Sequence, residues 1–196
     1  MLLNDRRIIA LCRNEPKMIE PFVEIKTICS IESGKFAGLR VPSFGLSSCG
    51  YDIRLNPEGF RIFYHYPRHY SIRVGEGYEE NLIQVQPWEG FVMIPPNSYA
   101  LGSSLEKFNI PRNICGRVFG KSTLARCGII VNVTPLEPGW RGYLTIEISN
   151  SCPLPVEIPI FGGIAQVQFE IIDDPISDYG EGKYQDQGDQ VVQAKV

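Results

Sequence analysis

The sequence lacks the features that would place it at a membrane or on nucleic acid. It has no apolar stretch near the roughly 20 residues that a membrane-spanning helix needs. Its first seven residues lack the order of a secretory signal, a charged segment followed by an apolar one. It also has no excess of positive charge, since 19 Lys and Arg against 22 Asp and Glu give a net charge of -3. We therefore expect a cytoplasmic protein that binds neither a membrane nor a nucleic-acid polymer.

Paired cysteines and clustered histidines are missing too. The six cysteines are scattered and form no C-x-x-C pair, so we expect reduced thiols rather than a disulfide or zinc framework. The only two histidines, His65 and His69, have Pro67 between them, and this proline argues against a helix that presents both to one metal ion. We expect these histidines to lie in a surface loop.

What the chain does have is the composition of one folded domain spanning residues 1–196. Its hydrophobic fraction of 43% is enough for a core of its own. Near the start, Asn4 ahead of Ile8 and Ile9 predicts a capped amphipathic helix. We place this helix at 4–15.

Short strands are predicted for most of the remaining chain. Its 19 glycines and 15 prolines divide it into short runs of alternating polarity, which favours strands over long helices. Their regular spacing, with turn residues between them, is typical of an all-β sandwich or barrel. The clearest runs lie at 47–55, 91–94, 99–103, 129–133, 143–149, 156–158 and 165–171.

The last segment, 173–196, has a different composition. It is polar, rich in Asp, Gly and Gln, and almost free of core-forming residues. Such a segment cannot bury enough apolar surface to offset its chain entropy. Composition alone therefore predicts a disordered tail.

A short glycine-containing loop has the chemistry of an anion site. Gly120 lets the backbone approach an anion, Ser122 and Thr123 offer hydroxyls, and Lys121 and Arg126 bring positive charge. A brief helical turn beginning at Ser122 would point its N-terminal end at the anion. The glycine spacing does not fit the P-loop motif. A capped turn between two strands, with two solvated cations, is the alternative.

One carboxylate lies on the polar face of a predicted strand. In the run 143–149 the period is two, so Glu147 shares its face with Thr145 and Ser149, opposite the apolar side chains. Glu147 is therefore a candidate catalytic residue, although an ordinary exposed strand glutamate would give the same pattern. Just before this strand, a turn from Glu137 to Trp140 brings an acid and an indole together. This turn either contacts a ligand or places a tryptophan in the core.

The order of these features resembles the dCTP deaminases of the dUTPase superfamily. In that family, a segment that begins with glycine, a basic residue and serine ends in Ala-Arg. A turn with an acidic and an aromatic residue follows it, and after this turn comes a strand with the catalytic glutamate. Gly120 to Arg126, Glu137 to Trp140 and Glu147 follow this order. The resemblance implies a distorted jelly-roll-like β-barrel of the dUTPase type, with a short N-terminal helix and with 173–196 as a flexible C-terminal lid.

The resemblance also implies an activity, the hydrolytic deamination of dCTP to dUTP and ammonia in pyrimidine deoxynucleotide synthesis. Zinc deaminases carry H-x-E and P-C-x-x-C motifs, and neither is present here, so a zinc-independent reaction is expected. Glu147 would shuttle protons between water, ring and amine. Ser122 and a carbonyl near Thr134 and Pro135 would position the water, and Arg126 would hold the glutamate and steady developing charge.

Further substrate contacts are implied for the sugar, the base and the phosphates. Glu137 would contact the sugar hydroxyl and Trp140 would pack on the sugar. The tail would close over the nucleotide and bring its own groups to the phosphates. The other implied contacts are Lys121, Thr123, Asn132, Tyr179, Lys183 and Gln187.

The resemblance implies partners as well. Mg²⁺ would arrive mainly on the substrate triphosphate, with no metal ligand from the chain. The protein would form a homotrimer whose active sites are shared between subunits, and dTTP would inhibit it by feedback. Two alternatives stay open: a bifunctional enzyme that also converts dUTP to dUMP and pyrophosphate, using the acid at Glu137, and a noncatalytic nucleotide-binding trimer. A pure binder would not need a carboxylate at Glu147.

Overall fold

The computed structural model describes residues 1–63, 72–75, 82–160, 162–192 and 194–195. Strands dominate these residues and one short helix lies at the N-terminus, which confirms the predicted all-β class. The helices are α1 (Asp5–Arg13) and α2 (Ser122–Ala125). The strands are β1 (Ile19–Glu20), β2 (Gly45–Ser47), β3 (Gly50–Arg54), β4 (Arg61–Phe63), β5 (Leu82–Gln84), β6 (Phe91–Ile94), β7 (Ser98–Asn109), β8 (Ile114–Gly120), β9 (Ile129–Asn132), β10 (Arg141–Asn150), β11 (Val156–Pro159) and β12 (Gly163–Ile171).

The N-terminal helix α1 is slightly shorter than the predicted 4–15. Asn4 is its N-cap, and the Asn4 side chain accepts a hydrogen bond from the Arg7 backbone N–H at 3.2 Å. Ile8 and Cys12 are four residues apart and both are buried, so they form the face that packs on the core. The helix stops at Arg13 because the next residue already has an extended backbone.

The strands form three antiparallel sheets. The largest has the order β5-β4-β7-β10-β9, with β1 also paired to β7. The second has the order β2-β3-β12-β8, and β11 pairs with β6 in a separate ladder. Hydrogen bonding among the described strands does not close these sheets into a barrel. The predicted jelly-roll-like barrel is thus an open arrangement, because the β11-β6 ladder joins neither of the larger sheets.

One hydrophobic cluster contains residues from all three sheets. In β10 the residues Leu144, Ile146 and Ile148 are buried while the residues between them are half-buried, as the period of two predicts. Phe108 of β7 and Phe169 of β12 are fully buried, and their rings lie 6.5 Å apart. The core therefore lies between the two larger sheets, and β10 turns its polar face away from it.

A buried ion pair also connects the two larger sheets. Glu106 of β7 is fully buried, and its carboxylate accepts hydrogen bonds from the Arg54 Nε at 2.8 Å and from the Arg54 backbone N–H at 2.9 Å. Burial raises the pKa of Glu106, and the neighbouring Arg54 acts in the opposite direction. Removing either partner would leave an uncompensated buried group between β3 and β7.

Among the described strands, β8 is the one long strand that the sequence patterns do not predict. Gly116 and Gly120 interrupt its apolar alternation, yet the strand pairs with β12 over its whole length, from Ile114 opposite Ile171 to Gly120 opposite Ala165. Pairing with β12 therefore determines that this segment is a strand. The segment that contains Ser122 follows directly after the end of β8. None of the helices in the described parts of the chain is long and apolar enough to cross a membrane.

Candidate active site

Strand β10, which carries Glu147, is an interior strand of the largest sheet, next to the edge strand β9. The strand pairs with β7 on one side and β9 on the other, so Glu147 lies opposite Leu101 and opposite Asn132. Its side chain leaves the polar face of β10 and reaches a cavity of about 480 Å³. A cavity of this size is in the range that holds small-molecule ligands.

The carboxyl group of Glu147 is in an unusual environment. Its Oε2 atom is buried and has no hydrogen-bond partner among the described residues. This burial raises the pKa of Glu147 from 4.5 to about 7, because desolvation disfavours the charged form. A carboxyl group with a pKa near 7 can both accept and release a proton at neutral pH, which is the property that general acid-base chemistry needs.

Six further residues named from the sequence line the same cavity as Glu147. They come from the loop after β9, from the turn before β10 and from the C-terminal segment, so distant parts of the chain meet here. These residues are Thr134, Pro135, Glu137, Trp140, Tyr179 and Gln187.

The turn before β10 is held by the tail. Trp140 is almost completely buried, and its indole Nε1–H donates a hydrogen bond to the Tyr184 carbonyl at 2.9 Å. The Glu137 side chain is exposed and lines the cavity. Gly139 has a φ of +78° and permits the tight turn between them. An acid and an aromatic ring from one turn therefore both line the cavity.

The C-terminal segment is packed against β10, and the disordered tail expected from composition is not what the structure shows. The Gln187 side-chain Nε2 donates hydrogen bonds to the Tyr143 carbonyl at 3.0 Å and to the Thr145 Oγ1 at 2.7 Å. The Tyr143 backbone N–H donates to the Gln187 carbonyl at 3.0 Å. Arg141 forms an ion pair with Asp186. Composition fails here because polar and backbone contacts, rather than apolar burial, hold this segment.

A second group of predicted residues lies outside the cavity. Ser122 and Thr123 begin α2 and Arg126 follows it, and all three are exposed. Lys121 donates a hydrogen bond to the Asp52 Oδ2 at 2.7 Å, and Asp52 itself is buried and also pairs with Lys26 at 3.1 Å. Within one chain, the structure does not bring these loop residues to Glu147.

Two other predicted contacts are exposed as well. Asn132 faces Glu147 across the β9-β10 pairing, but its side chain does not line the cavity. Lys183 lies in the tail without lining the cavity, and its carbonyl accepts a hydrogen bond from the Lys195 Nζ at 3.0 Å.

Some cavity residues were not named as sites from the sequence. Thr145 lines the cavity and shares the polar face of β10 with Glu147. The period of two in the sequence could therefore have identified it as a site residue. Tyr184 follows Lys183 directly, within a segment already assigned to the lid. Val192 and Ala194 also line the cavity, and no local pattern marks them.

The described residues contain no ready-made metal site. Among these residues, no group of three or more His, Cys, Asp or Glu side chains could hold a metal ion. His65 and His69, for which a surface loop was predicted, lie outside the described residues.

Comparison with known proteins gives consistent matches. A family model described as dCTP deaminase-like matches residues 2–172. A protein named dCTP deaminase from Chlamydia caviae is 46% identical over 179 residues, which cover 87% of each chain. Another with that name, from Roseiflexus castenholzii, is 44% identical over 196 residues, covering 95% of this chain and 96% of the relative.

A solved structure shares the fold. The crystal structure of 2'-deoxycytidine 5'-triphosphate deaminase from Agrobacterium tumefaciens aligns with a TM-score of 0.57 and 16% identity. The alignment covers 87% of this chain and 47% of that one, so this chain spans about half the length of the chain in that structure. At this level of identity the likeness supports the fold and nothing more specific.

Proposed function

The chain belongs to the dCTP deaminase-like family, and from that premise we propose that it hydrolyses dCTP to dUTP and ammonia without zinc. Glu147 is the proposed proton shuttle. The observation that carries this proposal is the buried carboxyl group of Glu147, which lies in a cavity of ligand size, has a pKa of about 7 and has one oxygen without a hydrogen-bond partner among the described residues. The reaction would feed thymidylate precursor synthesis in the cytoplasm.

The proposed chemistry moves protons through a single carboxyl group. Glu147 as carboxylate takes a proton from water as the oxygen attacks C4 of cytosine, and it then gives that proton to ring N3. It next takes the proton of the new C4 hydroxyl and gives it to the amino group. The C4–N bond breaks, ammonia leaves and a C4 carbonyl forms, so dCTP plus water balances dUTP plus ammonia. A group with a pKa near 7 can both accept and release the proton in each of these two transfers.

The walls of the cavity suit the other parts of the nucleotide. Glu137 would accept a hydrogen bond from the sugar hydroxyl while the Trp140 ring packs on the sugar, as the resemblance implies. The backbone near Thr134 and Pro135 lines the same cavity and would position the attacking water. These groups bind and orient the substrate, and Glu147 carries out the proton transfers.

The tail groups would bind the phosphates. Tyr179 and Gln187 line the cavity, and Lys183 is exposed on the same segment. The Gln187 amide is held by Thr145 in this structure and would turn to a phosphate oxygen when substrate enters. Asn132 would lie at the edge of the base subsite, because it is paired with Glu147 across the strands.

A homotrimer would bring the remaining predicted residues to the cavity. Ser122, Thr123 and Arg126 are exposed and lie away from the cavity of their own chain, so they are available to a neighbouring subunit. Arg126 would then steady the charge that develops in the reaction, and Ser122 would help to hold the water. Lys121 and Lys26 share one Asp52 carboxylate, which leaves net positive charge beside this loop for the phosphates.

Subunit complementation tests the shared site. Glu147→Gln and Arg126→Ala should each be inactive as homotrimers. If each site combines Glu147 of one subunit with Arg126 of the next, every mixed trimer contains one intact site. Coexpressing the two variants at equal levels should therefore restore up to about a quarter of the wild-type activity. Mixed trimers without activity would show that the two residues act within one subunit.

Two ligands follow from the same chemistry. Mg²⁺ would be bound mainly by the triphosphate, whose oxygen atoms are the ligands that this ion prefers. When bound, it would neutralise phosphate charge. We propose dTTP as a feedback inhibitor, because its deoxyribose and triphosphate are the same as those of dCTP. These groups would contact the same residues of the cavity and of the tail.

A bifunctional enzyme is the second candidate. Glu137 lines the same cavity as Glu147, so an acid is present that could activate a second water toward the phosphates. Chromatography of the products from dCTP decides between the two proposals. Ammonia with dUTP supports the deaminase, dUMP with pyrophosphate supports the bifunctional enzyme, and unchanged dCTP would refute both.

A further inference from the structure

Beyond Gln187, the end of the tail enters a small notch formed by Asn56, Gly59 and Ser103. The Ser103 Oγ donates a hydrogen bond to the Asp189 carbonyl at 2.6 Å. The Asn56 Nδ2 donates to the same carbonyl oxygen at 3.3 Å. One backbone oxygen of the tail is thus held by two side-chain donors.

The notch is buried, and its shape matches a backbone carbonyl. Ser103 is completely buried and Asn56 is 8% exposed. A Cβ atom at Gly59 would lie 2.0 Å from the Ser103 Oγ and 2.9 Å from the Asp189 carbonyl, so glycine is needed for the hydroxyl and the tail to meet. Buried donors are costly to leave unpaired, and therefore the notch favours the bound tail.

Holding Asp189 determines where the last residues lie. Just beyond it, Arg61 donates a hydrogen bond to the Gln190 side chain at 3.4 Å. Val192 and Ala194 then return to line the cavity that contains Glu147. The notch is consequently a second attachment point for the tail, separate from the contacts of Gln187 with β10.

We propose that Ser103 and Asn56 are positioning residues for the deamination reaction. They touch neither the cavity nor its proposed substrate, and they act by keeping the end of the tail closed over it. The kinetic part of this inference rests on the proposed function, whereas the tail contact itself does not.

Two substitutions and one matched control test the inference in the full-length protein. Ser103→Ala removes one donor. Asn56→Asp keeps the Oδ1 that accepts the Glu58 N–H at 3.0 Å, and it puts an acceptor where Asp189 needs a donor. Ser104→Ala is the control, because Ser104 is equally buried but bonds the Glu106 carbonyl and the Leu144 N–H instead.

Hydrogen exchange of peptides spanning 184–195, followed by mass spectrometry, measures tail closure without any substrate. Ser103→Ala and Asn56→Asp should each speed exchange there about three- to tenfold, the range expected for one lost hydrogen bond. Trypsin should also cut faster after Lys183. Ser104→Ala should lower the melting temperature and leave tail exchange as in the wild type.

Kinetics with dCTP give the second measurement. Each notch variant should raise KM about three- to tenfold and change kcat less than twofold, because saturating substrate restores closure. Wild-type tail exchange in both notch variants would overturn the inference, as would a lowered KM, which would make the tail end a barrier to substrate. Changed exchange without any dCTP turnover in the wild type would instead refute the proposed function and leave the tail contact standing.

Discussion

Replacing Glu147 by glutamine should stabilise the protein at high pH while abolishing its activity. Glutamine resembles the protonated acid in shape but carries no titrating group. Burial raises the pKa of Glu147 from 4.5 to about 7, so the folded protein favours the neutral form. The unfolded chain has the ordinary pKa. As the pH rises from about 4.5 to about 7, wild-type stability therefore falls, and the full cost is present above pH 7.

The size of this effect follows from the shift in pKa. At about 1.4 kcal/mol per unit, the shift sets an upper limit of about 3 kcal/mol. Because the side chain is only partly buried, solvent screening reduces this value, and we expect about 1 to 2 kcal/mol. For a chain of this length that corresponds to a rise in melting temperature of about 3 to 6 °C at pH 8. At pH 4.5 and below, the two proteins should have nearly the same melting temperature.

Thermal melts of wild type and Glu147→Gln at pH 8 and pH 4.5, at equal protein concentration, measure this difference. The same variant should lose at least about 10²-fold in turnover while still binding dCTP. Wild-type turnover should fall as the pH drops below 7, because the base must be ionised. A lower melting temperature for the variant at pH 8 would refute a dominant effect of burial, since it would mean that a cation, in the proposed trimer Arg126 of a neighbouring subunit, neutralises the Glu147 carboxylate. Near-normal turnover would refute the proton shuttle.

Further predictions concern the tail, metals and the buried ion pair. Gln187→Ala removes hydrogen bonds to Tyr143 and Thr145 and a proposed phosphate contact; steady-state kinetics should show KM for dCTP raised about tenfold, and an unchanged KM would contradict that role. Activity should survive a strong zinc chelator once Mg²⁺ is restored, and loss reversed only by zinc would contradict the proposed chemistry. Glu106→Ala should cost about 3 to 5 kcal/mol in urea unfolding, because the mostly buried Arg54 loses its carboxylate partner; a cost below about 1 kcal/mol would show that the pair is solvated.

Much of the fold could be predicted because its signals are local. The cap at Asn4 and the alternation around Glu147 each depend on residues a few positions apart, and both features are present in the structure. Strand β8 had no such signal, since its glycines break the pattern and its pairing with β12 joins segments about 50 residues apart. The open sheets likewise depend on which edges meet, and no local pattern encodes that.

The candidate site also combines features that the local sequence predicts with features that depend on the tertiary structure. The residue types at Glu147, Glu137 and Trp140 indicate their chemistry from the amino-acid sequence, and all three line one cavity. Their roles there are still predictions. The environment that raises the pKa of Glu147 could not be predicted, because burial is produced by neighbours from other strands and from the tail.

By itself, the sequence determined the strand-rich class, the capped first helix and the types of reactive side chain, because each is a property of neighbouring residues. Only the tertiary structure decided that Ser122 and Arg126 lie away from the cavity of their own chain. It also decided that a polar tail is ordered, with the Asp189 carbonyl held by Ser103 of β7. Such contacts join residues tens of positions apart, and their energy comes from desolvated partners that meet only when the chain is packed.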